Sequence, residues 1–287
     1  MFFRRRSKQR IEWDRPIFIV SAGRSGSVML SDILNTHPQV AITNEANIAP
    51  FFWIMHRAAR LELFEAERVQ GFQLRGLIND RYRDAFSGIL APRLFEVWQE
   101  FHRETFSKKK FTRWGDKFQM AWVVQPLIEQ FPKAQFVHLV RDGRDRTVSA
   151  IKFYERARAQ DRYGPEIDFE QLCKAWVLTH QTLLDVLTPA VQSLSIRYED
   201  LIQKREQTLA GLYDFLDLPF ETKDLGREPV HSQEIFARHG TSSTPQASLS
   251  RWQSEMDVEQ QQLAHDIMGN LLREFGYPIP AAFDTAG

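Results

Sequence analysis

One cysteine in 287 residues, Cys173, leaves no partner for an internal disulfide, and no grouping of Cys and His has the spacing of a zinc site. A surplus of either charge is missing too. The 37 basic and 37 acidic residues cancel, so no global field draws in nucleic acid, and any anion site has to be a local cluster of cations. Long apolar runs are absent. The basic opening Met1-Phe2-Phe3-Arg4-Arg5-Arg6-Ser7-Lys8 has no stretch behind it of signal-peptide or membrane-spanning length. There is no low-complexity segment, repeat or linker. These absences exclude a disulfide scaffold, a collagen and a disordered tail protein. They lead us to expect a reducing, cytoplasmic setting, with no nucleic-acid partner and no transmembrane segment. Residues 1–15 are expected to be a basic segment capable at most of weak membrane-surface contact, 16–280 one domain, and 281–287 a tail.

What the chain does contain is an alternation. With 43% hydrophobic and 26% charged residues it has a globular composition, and its length lets one core bury roughly three quarters of the unfolded surface. The run Pro16-Ile17-Phe18-Ile19-Val20 predicts a strand, Ser21 to Ser27 a small-residue loop, and Val28, Met29, Ile33 and Leu34 a helix. Val40-Ala41-Ile42 predicts a second strand that delivers Asn44 and Glu45. From about Ile48 to Phe106 the pattern is helical, with breaks expected near Gly71, Gly76 and Pro92. A short strand and turn over Phe111 to Lys117 precedes a helix broken or kinked around Pro126. Phe136 to Val140 is a strand with Arg141-Asp142-Gly143-Arg144-Asp145 as its exit loop. A helix from Leu172 to Leu187, a strand over Ser193 to Tyr198 and one helix from about Glu199 to Phe215 complete the pattern. Buried strands alternating with helices predict an α/β single domain: a central parallel sheet flanked by helices on both faces, with a helical insert after the second strand. Ligands bind beyond the carboxyl ends of such strands, where the polar loops lie.

The first of these loops has the chemistry of a phosphate cradle. Gly23 and Gly26 let the backbone turn tightly and approach an anion, the opening N–H groups of the next helix are unpaired donors, Arg24 adds a forked cation, and Ser25 and Ser27 add hydroxyls. A plain strand-to-helix turn has a similar composition. The nucleoside-triphosphatase loop, G-x-x-x-x-G-K followed by Ser or Thr, does not match when anchored on Gly26: Ser21 replaces its first glycine and Ser27 its lysine. In the second loop, Arg141 and, eight residues on, Ser149 either clamp a second phosphate or leave Arg141 in a structural ion pair with Asp142.

Taken together, the first loop, His37-Pro38, the Arg141-to-Asp145 loop with Ser149, and Arg197-Tyr198-Glu199-Asp200-Leu201 resemble the sulfotransferases that use 3′-phosphoadenosine 5′-phosphosulfate (PAPS), in order and spacing from about residue 16 to 277. Gly115-Asp116-Lys117 is similar to that family's G-D-K-T-P, and Ser250-Arg251-Trp252 and Phe275-Gly276-Tyr277 match further on. The resemblance lies nearer the tyrosylprotein and bacterial branches than the histidine-base cytosolic branch. It implies that Gly23 to Ser27 bind the 5′-phosphosulfate and that Arg141 and Ser149 bind the 3′-phosphate. It also implies transfer of a sulfuryl group to a hydroxyl or amine acceptor, with adenosine 3′,5′-bisphosphate (PAP) as product and no metal. Three departures stand out: Gly23 for proline, Val28 for a hydroxyl residue, and Phe118-Gln119 for Thr-Pro.

The same resemblance makes Arg24, Lys117 and Glu45 the catalytic candidates, Glu45 as general base. Glu45 otherwise caps the helix that starts near Ile48, and Lys117 is otherwise a solvated surface lysine. Tyr198 packs either on adenine or on the core, beside Arg197. Ser248 and Arg251 belong either to a lid over the nucleotide or to a tether running from Gly240. His37 and His138 read as structural imidazoles, and the aromatic stretch Phe51, Phe52, Trp53, Met55 and His56 as acceptor contacts or core. The acceptor is a small molecule, carbohydrate, lipid or peptide. A PAPS- or PAP-binding protein without turnover and a P-loop kinase or nucleoside triphosphatase are the alternatives. Golgi members of the family carry an N-terminal anchor that this sequence lacks, which adds to the expectation of a cytoplasmic, bacterial enzyme.

Overall fold

The structure, a computed structural model, describes residues 10–59, 80–160, 168–220 and 241–283. Strand β1 (Ile17–Ser21) is buried at every position, which only a central strand covered on both faces can be. It pairs on one side with β3 (Arg113–Phe118) and on the other with β4 (Gln135–Val140). With β2 (Val40–Asn44) and β5 (Ser193–Arg197) at the edges, the sheet has the order β2-β3-β1-β4-β5 and every pairing is parallel. The register sets Asn44 opposite Lys117, Ser21 opposite Leu139 and Val140 opposite Arg197, so the polar strand ends lie along one edge.

Alternation along the strands divides the core. Ile17, Ile19, Val137 and Leu139 pack under α1 (Ser27–Thr36), α7 (Tyr198–Gln203) and α8 (Arg205–Phe215). On the other face Phe18 and Phe136 meet Phe52 of α2 (Ala49–Ala59), Trp98 of α3 (Asp80–Thr105) and Leu127 of α4 (Val124–Gln130). Trp176, Trp252 and Met268 form a third cluster among α5 (Gly143–Ala159), α6 (Phe169–Val186), α9 (Trp252–Glu255) and α10 (Val258–Glu274).

Several expectations need adjustment. Pro92 lies inside α3 without ending it; the residue whose carbonyl its ring faces is Gly88, where the backbone adjusts most easily. Gly71 and Gly76 lie outside the described residues. Pro126 does not kink a helix but sits in the first turn of α4, where its missing N–H leaves no intrahelical bond unmade. The single helix expected from Glu199 to Phe215 is two, parted at Lys204, where the backbone leaves the helical region. Residues 1–9 and 284–287 lie outside the described residues.

Candidate active site

Between β1 and α1 the chain turns through two left-handed residues, Arg24 at φ 70° and Gly26 at φ 88°. A Cβ at Gly26 would stand 2.5 Å from the Tyr198 ring, so both conformation and space demand glycine there. Gly26 begins α1 without a side-chain cap, which leaves the first-turn N–H groups to a ligand or water. Two carbonyls of the loop are already taken. Arg146 Nε donates to Gly23 O at 2.8 Å and Arg141 Nη1 to Arg24 O at 3.0 Å. Burial, then the neighbouring Arg141 and Arg146 cations, push the Arg24 guanidinium down to about 10. Its carbon stands 4.5 Å from the Phe153 ring centroid, a cation–π contact. Ser25 Oγ and Arg141 Nε are buried with no hydrogen-bond partner among the described residues. Crowded cations, orphaned donors and free helix-terminal N–H groups suit a polyanion such as the phosphosulfate end of PAPS.

The second loop continues this cradle. Arg141 also donates to Ser248 O at 2.7 Å and lies 4.7 Å over the Tyr198 ring, while Tyr198 Oη and Ser248 Oγ are 2.9 Å apart. Ser149 Oγ and Thr241 Oγ1 are 2.9 Å apart, and Arg251 Nη1 donates to the same Thr241 hydroxyl at 3.2 Å. Arg251 is otherwise paired with Glu255 at 2.9 Å. Arg141, Tyr198 and Ser248 are thus in mutual contact, with Gly26 against the Tyr198 ring and with Ser149 and Arg251 joined through Thr241. Arg197 is engaged elsewhere: it donates to Gly276 O and packs 4.2 Å over Tyr277. The ion pair considered for Arg141 and Asp142 is instead made by Arg144, whose Nη2 is 2.7 Å from Asp142 Oδ2, while Asp142 caps α5.

A third group gathers where β2 and β3 end. Lys117 is buried on β3, and its Nζ donates to Glu45 Oε1 at 2.6 Å; Glu45 itself is 45% exposed. Glu45 has φ 53° and lies four residues before α2, so its side chain is committed to Lys117 and Gln119 rather than to a helix cap. Behind it Asp116 accepts from Thr43 Oγ1 at 2.9 Å and from the Lys117 N–H at 2.9 Å. Burial pushes Asp116 up to about 7 against those hydrogen bonds. The imidazoles are structural: His37 bonds Pro219 O, and His138 faces His180 at 2.8 Å inside the core. Phe52 is core, whereas Phe51 is exposed and Trp53 meets Trp122 edge to face at 4.6 Å; the side chains of Met55 and His56 lie outside the described residues.

Sequence reasoning passed over two contributors. Arg146, within the Arg-rich exit segment, holds the first loop by a carbonyl, and a carbonyl contact has no sequence signature. Gln119 was visible only as a departure from the family pattern.

A sequence model described as the sulfotransferase family matches residues 16–222 of this chain. Among curated proteins, the chain is 24% identical over 278 residues to protein-tyrosine sulfotransferase A of Caenorhabditis elegans, covering 91% of this chain and 67% of that protein. It is also 24% identical over 330 residues to omega-hydroxy-beta-dihydromenaquinone-9 sulfotransferase of Mycobacterium bovis, covering 99% and 82%. Among solved structures, a sulfotransferase domain from the curacin biosynthetic pathway aligns with TM-score 0.56 and 18% identity over 93% of this chain and 99% of that one. A mouse sulfotransferase complexed with PAP aligns with TM-score 0.53 and 12% identity over 93% and 90%. The structural likenesses speak to the fold.

Proposed function

The chain belongs to the sulfotransferase family, and from that premise we propose that it transfers a sulfuryl group from PAPS to a hydroxyl or amine acceptor. One observation carries the reading. The cation-rich loop ends β1, the Glu45–Lys117 pair ends β2 and β3, and β3 lies between the other two, so the two groups stand within about two strand spacings, roughly 10 Å.

PAPS supplies the activated sulfuryl group, and its transfer releases PAP. The residues divide the remaining work. The N–H groups of the first loop, Ser25 and Ser27 hold the 5′ end by hydrogen bonds, and Arg24 neutralises the charge that collects there. Arg141 and Ser149 take the 3′-phosphate, with Tyr198 beneath Arg141 as a flat wall for the base. Ser248 and Arg251 brace this side, and Arg197 supports it from outside through Tyr277. Glu45 receives the acceptor's proton. Lys117 keeps that carboxylate company until a second anion arrives, and then serves both.

The test is transfer of labelled sulfate from PAPS across phenolic, lipid, carbohydrate and peptide acceptors. Glu45→Gln is expected to lower kcat by about 10²- to 10⁴-fold while leaving PAP binding intact, and Arg24→Ala to weaken both. PAP at one hundred times its Kd is expected to stabilise the protein by about 2.7 kcal/mol. Absence of both PAP stabilisation and transfer would reject the reading.

A further inference from the structure

The roles above leave Gln119 without a task. Its Nε2 donates to Glu45 Oε1 at 3.0 Å, the same oxygen that accepts from Lys117. Reversing the carboxamide would set its oxygen against a carboxylate, so Nε2 faces Glu45 and Oε1 faces the first loop. There Oε1 stands 2.6 Å from where a Cβ on Gly23 would lie. Gly23 is not among the positive-φ residues, so its backbone would accept alanine, and only the space excludes a side chain. Positions 23 and 119 both depart from the proline of the pattern the sequence resembles, and the fold brings the two departures into contact.

Resting on the reading of Glu45 as the general base, we propose that Gln119 is a positioning residue for Glu45 and that glycine at 23 is the clearance that admits it. An ammonium on a long stem attracts a carboxylate without fixing its plane, whereas a planar amide adds a directional bond. Both donors take Oε1, which leaves Oε2 to receive the proton. The donor loop and the acceptor's base are joined by one side chain.

A double-mutant cycle tests this. Gln119→Ala and Gly23→Ala are each expected to lower kcat about three- to tenfold, with the KM for PAPS and the PAP affinity of Gln119→Ala within about twofold of wild type. Gly23→Ala displaces only the flexible end of Gln119, so the melting temperature is expected to stay near that of wild type. The double variant is expected to be no slower than Gln119→Ala alone, because the new Cβ has nothing left to displace. Independently of turnover, the Gln119 side-chain ¹⁵N–¹H amide pair is expected to shift in Gly23→Ala and in Glu45→Ala. A protein that transfers no sulfuryl group would defeat the functional reading, while this signal would still decide the contact. Additive losses in the double variant, unchanged kcat in Gly23→Ala, losses confined to PAP affinity, or unmoved amide signals would each overturn the proposal.

Discussion

Gly26 shows how much a single residue carries. Its φ of 88° belongs to the left-handed region, and a Cβ would press on the Tyr198 ring. Gly26→Ala is therefore expected to cost about 1–3 kcal/mol and to weaken PAP binding. Adding Tyr198→Ala removes the clash but not the backbone strain, so denaturant titration is expected to show only partial recovery; full recovery would mean that strain is unimportant. The glycine was legible in the sequence as part of a strand-to-helix loop, yet its partner, 172 residues on, was not. Lys117 gives the same lesson in reverse. Sequence left it between a site residue and a surface lysine, and burial beside Glu45 decided for the interior.

At the scale of elements, the stretch 241–250 is held to the site by Ser149, Tyr198, Arg141 and Asp145. Asp145, in the first turn of α5, accepts from the Ser250 N–H at 2.6 Å and the Trp252 N–H at 3.0 Å, and Arg141 holds Ser248 O. Asp145→Ala is expected to speed amide exchange across residues 241–252 and to weaken PAP binding about tenfold, with exchange in β1 and β4 unchanged. Unchanged exchange in the segment would contradict the anchoring. Strands and their exit loops were readable because apolar β-branched runs and glycine turns are local signals. The uninterrupted α3 across Pro92 and the division at Lys204 were not, because packing against the sheet outweighs local propensity.

For the molecule as a whole, buried titratable groups pull stability in opposite directions as pH falls. Burial pushes His138 down to about 4, and it lies between Ser195 on β5 and His180 on α6, with the Phe275 ring alongside. The unfolded chain takes up that proton near 6.5, so this stability is present above pH 6.5 and is lost as pH falls toward 4. Asp116 and Asp145, raised by burial to about 7 and about 6, act oppositely: their contribution is present below pH 4 and is lost as pH rises through those values. Between pH 6.5 and 4.5 the stability of His138→Gln is expected to rise by about 2 kcal/mol relative to that of wild type, measured by unfolding at each pH. A stability difference between the two proteins that does not change with pH would contradict the lowered His138 pKa. The sequence alone determined the parallel α/β architecture, the family and the loops proposed to meet a nucleotide, because periodicity, glycine turns and clustered cations are properties of neighbours along the chain. Only the tertiary structure decided that Arg197 turns to Tyr277, that Glu45 is held by Lys117 and Gln119, and that Gly23 makes room for that glutamine. Those facts depend on strand register and on distances between residues far apart in sequence.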